Sequence, residues 1–200
     1  MTRRPQIIAH HLIWTLYAHW LPNDLRGSGS EKLDYEKLAE LGPIHHGRKP
    51  AREQPTRGEL RKFQQQAEPL LKYKRCWIDE NNRAHFTTAF AEEIQEQTYT
   101  VYASAILSNH VHMVIRKHRD DALTMRNTLA EVSRLRFRRE LNLSPTHPVW
   151  ADRPFKVFLY TPEDIRRCVR YVEQNPEKEG LPPQSYDFVT PYNNWPFHKK

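Results

Sequence analysis

The sequence predicts an α+β fold in which one antiparallel sheet packs with helices. Four short stretches rich in β-branched and aromatic residues have the length expected of strands. Longer stretches between them space their apolar residues at helical intervals. The chain has 200 residues with eight Phe, nine Tyr and five Trp, which supplies enough apolar surface for one well-formed core.

The N-terminal part of the chain contains one strand followed by a long irregular stretch. Residues 6–16 are rich in Ile, Leu and Trp and predict a central strand. Residues 21–83 hold five of the six glycines, several prolines and many charges, which is typical of loops and turns. We interpret this stretch as an insertion, with helices expected over residues 31–41 and 58–73, the second with a break near Pro69.

Regular structure returns after the insertion. Four-residue spacing of Phe and Ile predicts a helix over residues 85–97. Residues 98–106 and 110–116 are β-branched and apolar around a short turn, and they predict a pair of strands. A helix with a basic outer face is expected over residues 123–141, and a fourth strand over residues 155–160.

The last helix has the clearest start signal in the chain. Thr161 is a candidate N-cap, Pro162 occupies the first helical position, acidic residues follow in the first turn, and the helix is expected to run up to Pro176. The complete order predicts a ferredoxin-like split β-α-β core, with a four-stranded antiparallel sheet and helices on one face. We expect one domain over residues 1–200, with the insertion at 21–83 and a C-terminal tail at 182–200.

The charge balance favours a phosphate-containing partner. Lys and Arg total 31 against 24 for Asp and Glu, for a net charge of +7 and a pI near 9.5, although many basic proteins bind no nucleic acid. There is no apolar run of about 20 residues and no secretory signal pattern, so we expect a cytoplasmic protein without membrane contact. Cys76 and Cys168 lie far apart, which argues against a thiolate zinc site or a disulfide framework.

Two histidines in a predicted strand form half of a metal site. His110 and His112 are separated by one residue, so their imidazoles point to the same side of the strand. With 11 histidines in the chain, chance placement gives roughly 0.6 such pairs, and the pair alone is a weak signal. Other histidines, such as the adjacent His10 and His11, diverge in a strand, and we interpret them as surface or core residues.

Tyr171 and Asn175 lie four residues apart on the predicted last helix and therefore share one of its faces. Helical spacing places them at the border of the apolar stripe, where a side chain is both held and reachable. The more ordinary interpretation is that Tyr171 is an amphipathic residue at the helix rim and that Asn175 ends the helix before Pro176.

These motifs carry a resemblance to a known family. Residues 108–115 (SNHVHMVI) resemble the histidine, hydrophobic, histidine strand of the single-tyrosine HUH transposases. Residues 170–181 (RYVEQNPEKEGL) resemble the tyrosine helix and its exit in one branch, the REP-associated tyrosine transposases, and residues 149–155 (VWADRPF) are similar to the same branch. The resemblance covers residues 6–20 and about 84–182.

The resemblance implies a ferredoxin-type sheet and a metal-assisted tyrosine nucleophile. It places Mg²⁺ or Mn²⁺ on His110 and His112, with Asn175 as third ligand and Gln174 as the alternative. Such a cation neutralises charge that develops on a phosphodiester. Tyr171 is then the nucleophile, which ends joined to a 5′-phosphate and releases a free 3′-OH. No nucleotide cofactor is needed, in agreement with the absence of a GxxxxGK[ST] loop.

The implied substrate is single-stranded DNA, including hairpin-containing repeats, bound by a monomer or a homodimer. An unpaired strand follows a basic groove and stacks on aromatic side chains. The alternative for each basic residue is a solvated surface charge. The candidate phosphate contacts are Arg3, Arg4, Arg134, Arg138, Lys156, Arg167 and Arg170.

Two other functions fit parts of the pattern. One is a non-catalytic nucleic-acid-binding module, because this type of sheet also serves RNA recognition; the lack of an aromatic-rich K/R-G-F/Y-G/A-F-V-x-F/Y signature counts against it. The other is a metal-dependent phosphodiesterase that uses His110 and His112 with water as the nucleophile. Either protein should keep its function when Tyr171 is replaced by Phe.

Overall fold

The computed structural model describes residues 5–28 and 36–197. Two of the candidate DNA contacts, Arg3 and Arg4, lie outside these residues, as does the first half of the helix expected from residue 31. Within the described part of the chain, no helix combines the length and apolar character needed to cross a bilayer.

The chain divides into two compact units. The first unit contains residues 1–16 together with residues 77–200, and the second unit contains residues 17–76. The stretch interpreted as an insertion, residues 21–83, overlaps the second unit. All four strands belong to the first unit, so the sheet is formed by two segments of chain that are far apart in sequence.

The first unit is built on one four-stranded antiparallel sheet, which confirms the α+β class. Its strands are β1 (Ala9–Thr15), β2 (Val101–Ile106), β3 (His110–Arg116) and β4 (Phe155–Leu159). They lie in the order β2-β3-β1-β4, and every neighbouring pair is antiparallel. The central position of β1 agrees with the prediction for the N-terminal strand.

The described residues form five α-helices. They are α1 (Arg57–Ala67), α2 (Arg83–Glu96), α3 (Ala122–Glu140), α4 (Pro162–Glu173) and α5 (Asn175–Lys178). Helix α1 belongs to the second unit and the others belong to the first.

One face of the sheet packs against α2 and α3. The ring of Trp14 from β1 lies 5.9 Å from the ring of Phe90 in α2, edge to face. Phe86 of α2 in turn contacts Phe137 of α3, with ring centroids 4.3 Å apart. These aromatic side chains are fully buried, and burial of such large rings supplies much of the hydrophobic stabilisation of the unit.

The opposite face packs against α4. Ala9, Val114 and Leu159 from three strands form one buried cluster with Ile165 and Val172 of α4. The expectation that helices cover only one face is therefore wrong. The physical reason is visible in β2, where every residue is buried, because a strand with both sides apolar needs cover on both faces of the sheet.

Helix α4 begins where the sequence predicts. The Thr161 side chain accepts a hydrogen bond from the Asp164 N–H, and the Asp164 carboxylate accepts one from the Thr161 N–H. This reciprocal capping box satisfies two backbone donors at the helix start. The helix ends at Glu173 rather than continuing to Pro176, and the short helix α5 begins at Asn175.

The second unit has its own small core. Leu21, Leu38, Phe63 and Ala67 are buried together. The helix expected over residues 58–73 is α1 followed by a 3₁₀ turn at Glu68–Leu70, since Pro69 lacks the N–H that a continuing α-helix requires. Of the other expected helix in this region, the described part is a 3₁₀ segment, Glu36–Leu41.

Candidate active site

His110 and His112 of β3 project from the sheet face that carries α4. Their ring centroids lie 4.9 Å apart, as expected for side chains two residues apart on a strand. The ring of His112 is buried, with 4% of the residue exposed, whereas His110 at the start of the strand is half-buried. The pair therefore has one member fixed in the core and one near the solvent.

A third histidine, His11 of β1, joins this pair. Its Nε2 lies 2.9 Å from Nδ1 of His112 in a hydrogen bond, and the two rings stack with centroids 5.1 Å apart. The sequence indicates that His10 and His11 diverge, and they do: His10 projects from the other face and contacts Phe158. Only the pairing of β1 with β3 identifies His11 as part of the site, because it places His11 diagonally across from His112.

The hydrogen bonds at Nδ1 set the orientation of both candidate ligand rings. Nδ1 of His110 lies 2.6 Å from the side-chain oxygen of Asn109, which accepts its proton. Nδ1 of His112 is bonded to His11. When Nδ1 carries the proton in both rings, each lone pair is on Nε2, the arrangement in which a second group orients a metal-binding imidazole.

Burial keeps the inner histidines neutral. It lowers the pKa of His11 to about 4 and that of His112 to about 2. For His112, the positive charges that His110 and His11 can carry lower the pKa further. A neutral imidazole is the form that binds metal ions, so near neutral pH no proton competes for these nitrogens.

Tyr171 of α4 packs against this histidine cluster. Its ring centroid lies 5.7 Å from that of His112 and 6.1 Å from that of His11, edge to face in both cases. The residue is 45% exposed, so one side of the phenol is held by the histidines while the other is accessible. The structure thus brings together the strand motif and the helix motif, which are separated by about 60 residues in sequence.

Asn175 is buried at the start of α5, with 7% of the residue exposed. Its side-chain nitrogen has no hydrogen-bond partner among the described residues. A buried N–H donor without a partner is costly. The oxygen of the same amide, not this nitrogen, is the atom that could bind a cation. Gln174, the alternative ligand, is exposed.

Glu179 is a neighbour of the histidines that sequence reasoning does not identify. Its Oε1 lies 4.0 Å from Nε2 of His110. Burial raises the pKa of this carboxyl, and a hydrogen bond from the Ser108 side chain offsets part of the effect. Residue spacing in the sequence cannot predict that Glu179, which follows α5, lies close to His110 at the start of β3. Their proximity results from the tertiary fold.

The donor set of the site suits a hard divalent cation held partly by nitrogen. The ring centroids of His110 and His112 lie 4.9 Å apart on the same face of the sheet, so both imidazoles are candidate nitrogen ligands of one ion. Over residues 5–28 and 36–197, no three His, Cys, Asp or Glu side chains form a ready metal cluster. The Asn175 amide stays the candidate third ligand, because amide oxygens suit hard divalent cations.

The candidate DNA contacts of the first unit divide between the two faces of the sheet. Arg167 and Arg170 lie on α4, the helix of Tyr171, where Arg167 pairs with Asp164. Lys156 pairs in register with Leu12, so its side chain leaves the sheet on the face opposite His112. Arg134 and Arg138 lie on α3, which packs on that opposite face. Arg134 is paired with Glu131, and Arg138 donates to the carbonyl of His147.

Comparison with known proteins gives matches among solved structures only. No protein-family model and no curated protein matches the chain. The chain is similar to a REP-associated tyrosine transposase bound to a REP hairpin, with 12% identity, a TM-score of 0.47, and coverage of 91% of this chain and 74% of that chain. It is also similar to a presumed transposase from Deinococcus radiodurans, with 10% identity, a TM-score of 0.41, and coverage of 87% and 95%. At these identities the similarity is one of fold alone.

Proposed function

We propose that the protein is a DNA transposase of the single-tyrosine HUH type, acting as a single-strand endonuclease and strand transferase with Tyr171 as the nucleophile. The observation that carries the proposal is the contact between Tyr171 and His112, whose ring centroids lie 5.7 Å apart. A half-exposed phenol beside buried neutral imidazoles is suited to attack on a phosphodiester held at the same point. The two sequence motifs support the same assignment.

The reaction is an exchange of one phosphodiester for another. The Tyr171 oxygen attacks phosphorus, a bond from that oxygen to phosphorus forms, and the bond from phosphorus to the 3′ oxygen breaks. The phenolic proton is lost and the leaving oxygen gains one, so the products are a 5′-phosphotyrosine and a free 3′-OH. The link conserves the energy of the phosphodiester, and a second 3′-OH reverses it at a new end without a nucleotide cofactor.

The residues that would hold a Mg²⁺ or Mn²⁺ ion are His110, His112 and Asn175. When bound, the cation neutralises charge on the non-bridging oxygens of the phosphate and fixes the group for in-line attack. The protein's own contribution is orientation. Asn109 and His11 hold the two imidazoles through their Nδ1 atoms, and the histidine cluster holds the tyrosine ring in turn.

Single-stranded DNA is the proposed substrate, with hairpin-containing repeats as its source, bound by a monomer or a homodimer. In-line attack needs a phosphate that a side chain can approach from the side opposite the leaving oxygen, which is easiest on an unpaired strand. The exposed arginines on α4, Arg167 and Arg170, lie on the same helix as the nucleophile and would contact neighbouring phosphates.

The decisive experiment is a test for a covalent protein–DNA adduct. Purified protein is incubated with Mn²⁺ and a pool of random-sequence single-stranded oligonucleotides, then analysed on a denaturing gel. The wild-type protein should form an adduct, Tyr171→Phe should form none while still binding DNA, and His112→Ala should form much less. Tyr160→Phe is the matched control, because Tyr160 is also partly exposed but lies outside the histidine cluster.

Two results would overturn the proposal. An adduct that persists in Tyr171→Phe would mean that another residue is the nucleophile. Cleavage of the oligonucleotides by Tyr171→Phe at the wild-type rate would favour a hydrolase that uses water, with the histidines and a cation sufficient for the reaction.

A further inference from the structure

Lys178, the last residue of α5, lies beside Tyr171. Its Nζ lies 4.9 Å from the centroid of the tyrosine ring, above the ring face. Attraction between an ammonium group and an aromatic face is favourable by a modest amount at exposed sites, so the ring provides a resting position for this charge. The side chain is otherwise exposed to solvent.

The arginines of α4, the helix that carries Tyr171, are engaged with acidic neighbours. Arg166 and Arg170 both approach Glu163, at 3.2 and 3.8 Å, and Arg167 pairs with Asp164 at 2.9 Å. Lys178, in contrast, makes no ion pair with any carboxylate in the described part of the chain. Its positive charge lies over the tyrosine ring and is not engaged in an ion pair within the described residues.

We propose that Lys178 binds the phosphate that Tyr171 attacks, which deepens the proposed function and rests on it. A phosphorus atom poised for attack lies about 3 to 3.5 Å from the nucleophilic oxygen. The non-bridging oxygens of this phosphate then lie within reach of the Lys178 ammonium, which already lies over the same tyrosine ring. When DNA binds, the ammonium exchanges the ring face for a phosphate oxygen, and it offsets the negative charge that develops there during the reaction.

The role of Lys178 is separable from that of the metal ligands. A lysine ammonium has three donors and no lone pair, so it contributes to phosphate binding whether or not a cation is present. Its loss should weaken DNA binding in a salt-dependent manner, because each phosphate contact on a single strand adds about 0.7 to the slope of log affinity against log salt.

The test uses full-length Lys178→Met, which keeps a long unbranched side chain and removes its charge. The matched control is Lys117→Met, because Lys117 is also exposed and follows the far end of β3, seven residues or about 23 Å from His110 along the strand. Binding of a single-stranded oligonucleotide is measured against salt concentration in the Tyr171→Phe background, where no adduct interferes. Adduct formation is measured with Tyr171 intact.

We expect Lys178→Met to reduce the salt slope by about 0.7 and to slow adduct formation at least tenfold. Lys178→Arg should retain the slope, and Lys117→Met should change neither quantity. If Lys178→Met and Lys117→Met bind with the same salt slope, the Lys178 proposal is wrong even when Tyr171 forms the adduct. If the slope falls but wild-type protein forms no adduct, Lys178 stands as a phosphate contact and the proposed function fails.

Discussion

His11 and His112 are joined by a hydrogen bond between two buried imidazoles, Nε2 to Nδ1, at 2.9 Å. The bond links the central strand β1 to the strand that carries the candidate metal ligands. Both rings also contact Tyr171. His11 thus contacts both the candidate metal ligand His112 and the candidate nucleophile Tyr171.

Replacement of His11 by Phe should weaken Mn²⁺ binding. The phenyl ring keeps the stacking on His112 but cannot accept the hydrogen bond from its Nδ1–H, so the His112 ring loses its fixed tautomer and orientation. Loss of such an outer partner typically costs 10- to 100-fold in metal affinity, which titration calorimetry with Mn²⁺ measures directly. His10→Phe is the control, because His10 lies on the opposite face of the sheet. Equal affinities in the two variants would contradict the positioning role.

The contribution of His11 illustrates what a single sequence leaves undetermined. Alternation along a strand correctly predicts that His110 and His112 share a face and that His10 and His11 do not. It does not give the register between strands that are about 100 residues apart in the chain. The same limit applies to Glu179, whose 4.0 Å separation from His110 depends on the path of the chain after α5.

Variants of Asn175 and Gln174 test which of the two side chains is the third metal ligand. Asn175→Ala should lower Mn²⁺ affinity, whereas Asn175→Asp should raise it roughly tenfold, because a carboxylate is an anionic ligand of similar size. Gln174→Ala should leave the affinity unchanged, since Gln174 is exposed and Asn175 is buried. Mn²⁺ titrations followed by electron paramagnetic resonance give the affinities without DNA. A loss of binding in Gln174→Ala alone would reverse the assignment.

The fold was predictable where local rules decide the structure. Strand β3 has the predicted bounds, because its apolar residues alternate around two histidines, and α4 starts at the predicted cap because Thr161 and Asp164 bond reciprocally. The cover on both faces of the sheet was not predicted. Spacing shows that a helix is amphipathic, but the choice of sheet face depends on which apolar surface remains uncovered after the other helices pack.

Stability of the protein should fall as the pH drops from 7 to 5, in part because of His19. Burial lowers the pKa of His19 to about 4, against about 6.5 in an unfolded chain. The unfolded state therefore binds a proton first, so the stabilisation is complete above pH 6.5 and is lost as the pH falls towards 4. The expected loss from this residue between pH 7 and pH 5 is about 2 kcal/mol.

The variant His19→Gln isolates this effect. An amide nitrogen can replace the His19 Nε2–H that donates to the carbonyl of Cys76, and it does not titrate in this range. Urea unfolding followed by circular dichroism at pH 7 and pH 5 should show a smaller loss of stability in this variant than in the wild type. His46→Gln is the control, because His46 is exposed in the same unit. An unchanged pH dependence in His19→Gln would mean that another group dominates.

The start of α4 contributes to stability through its N-cap. Thr161→Ala removes the side chain that accepts the Asp164 N–H, and loss of an N-cap of this kind typically costs about 1 kcal/mol. Thr161→Ser retains the hydroxyl and should be close to wild type in urea unfolding. Tyr171 is the tenth residue of a helix whose Ile165 and Val172 are anchored in the core. The cap variant should therefore still form the DNA adduct at low temperature. A large loss of adduct in Thr161→Ala without a matching loss of stability would show that the cap, rather than the core packing, holds the tyrosine against His112.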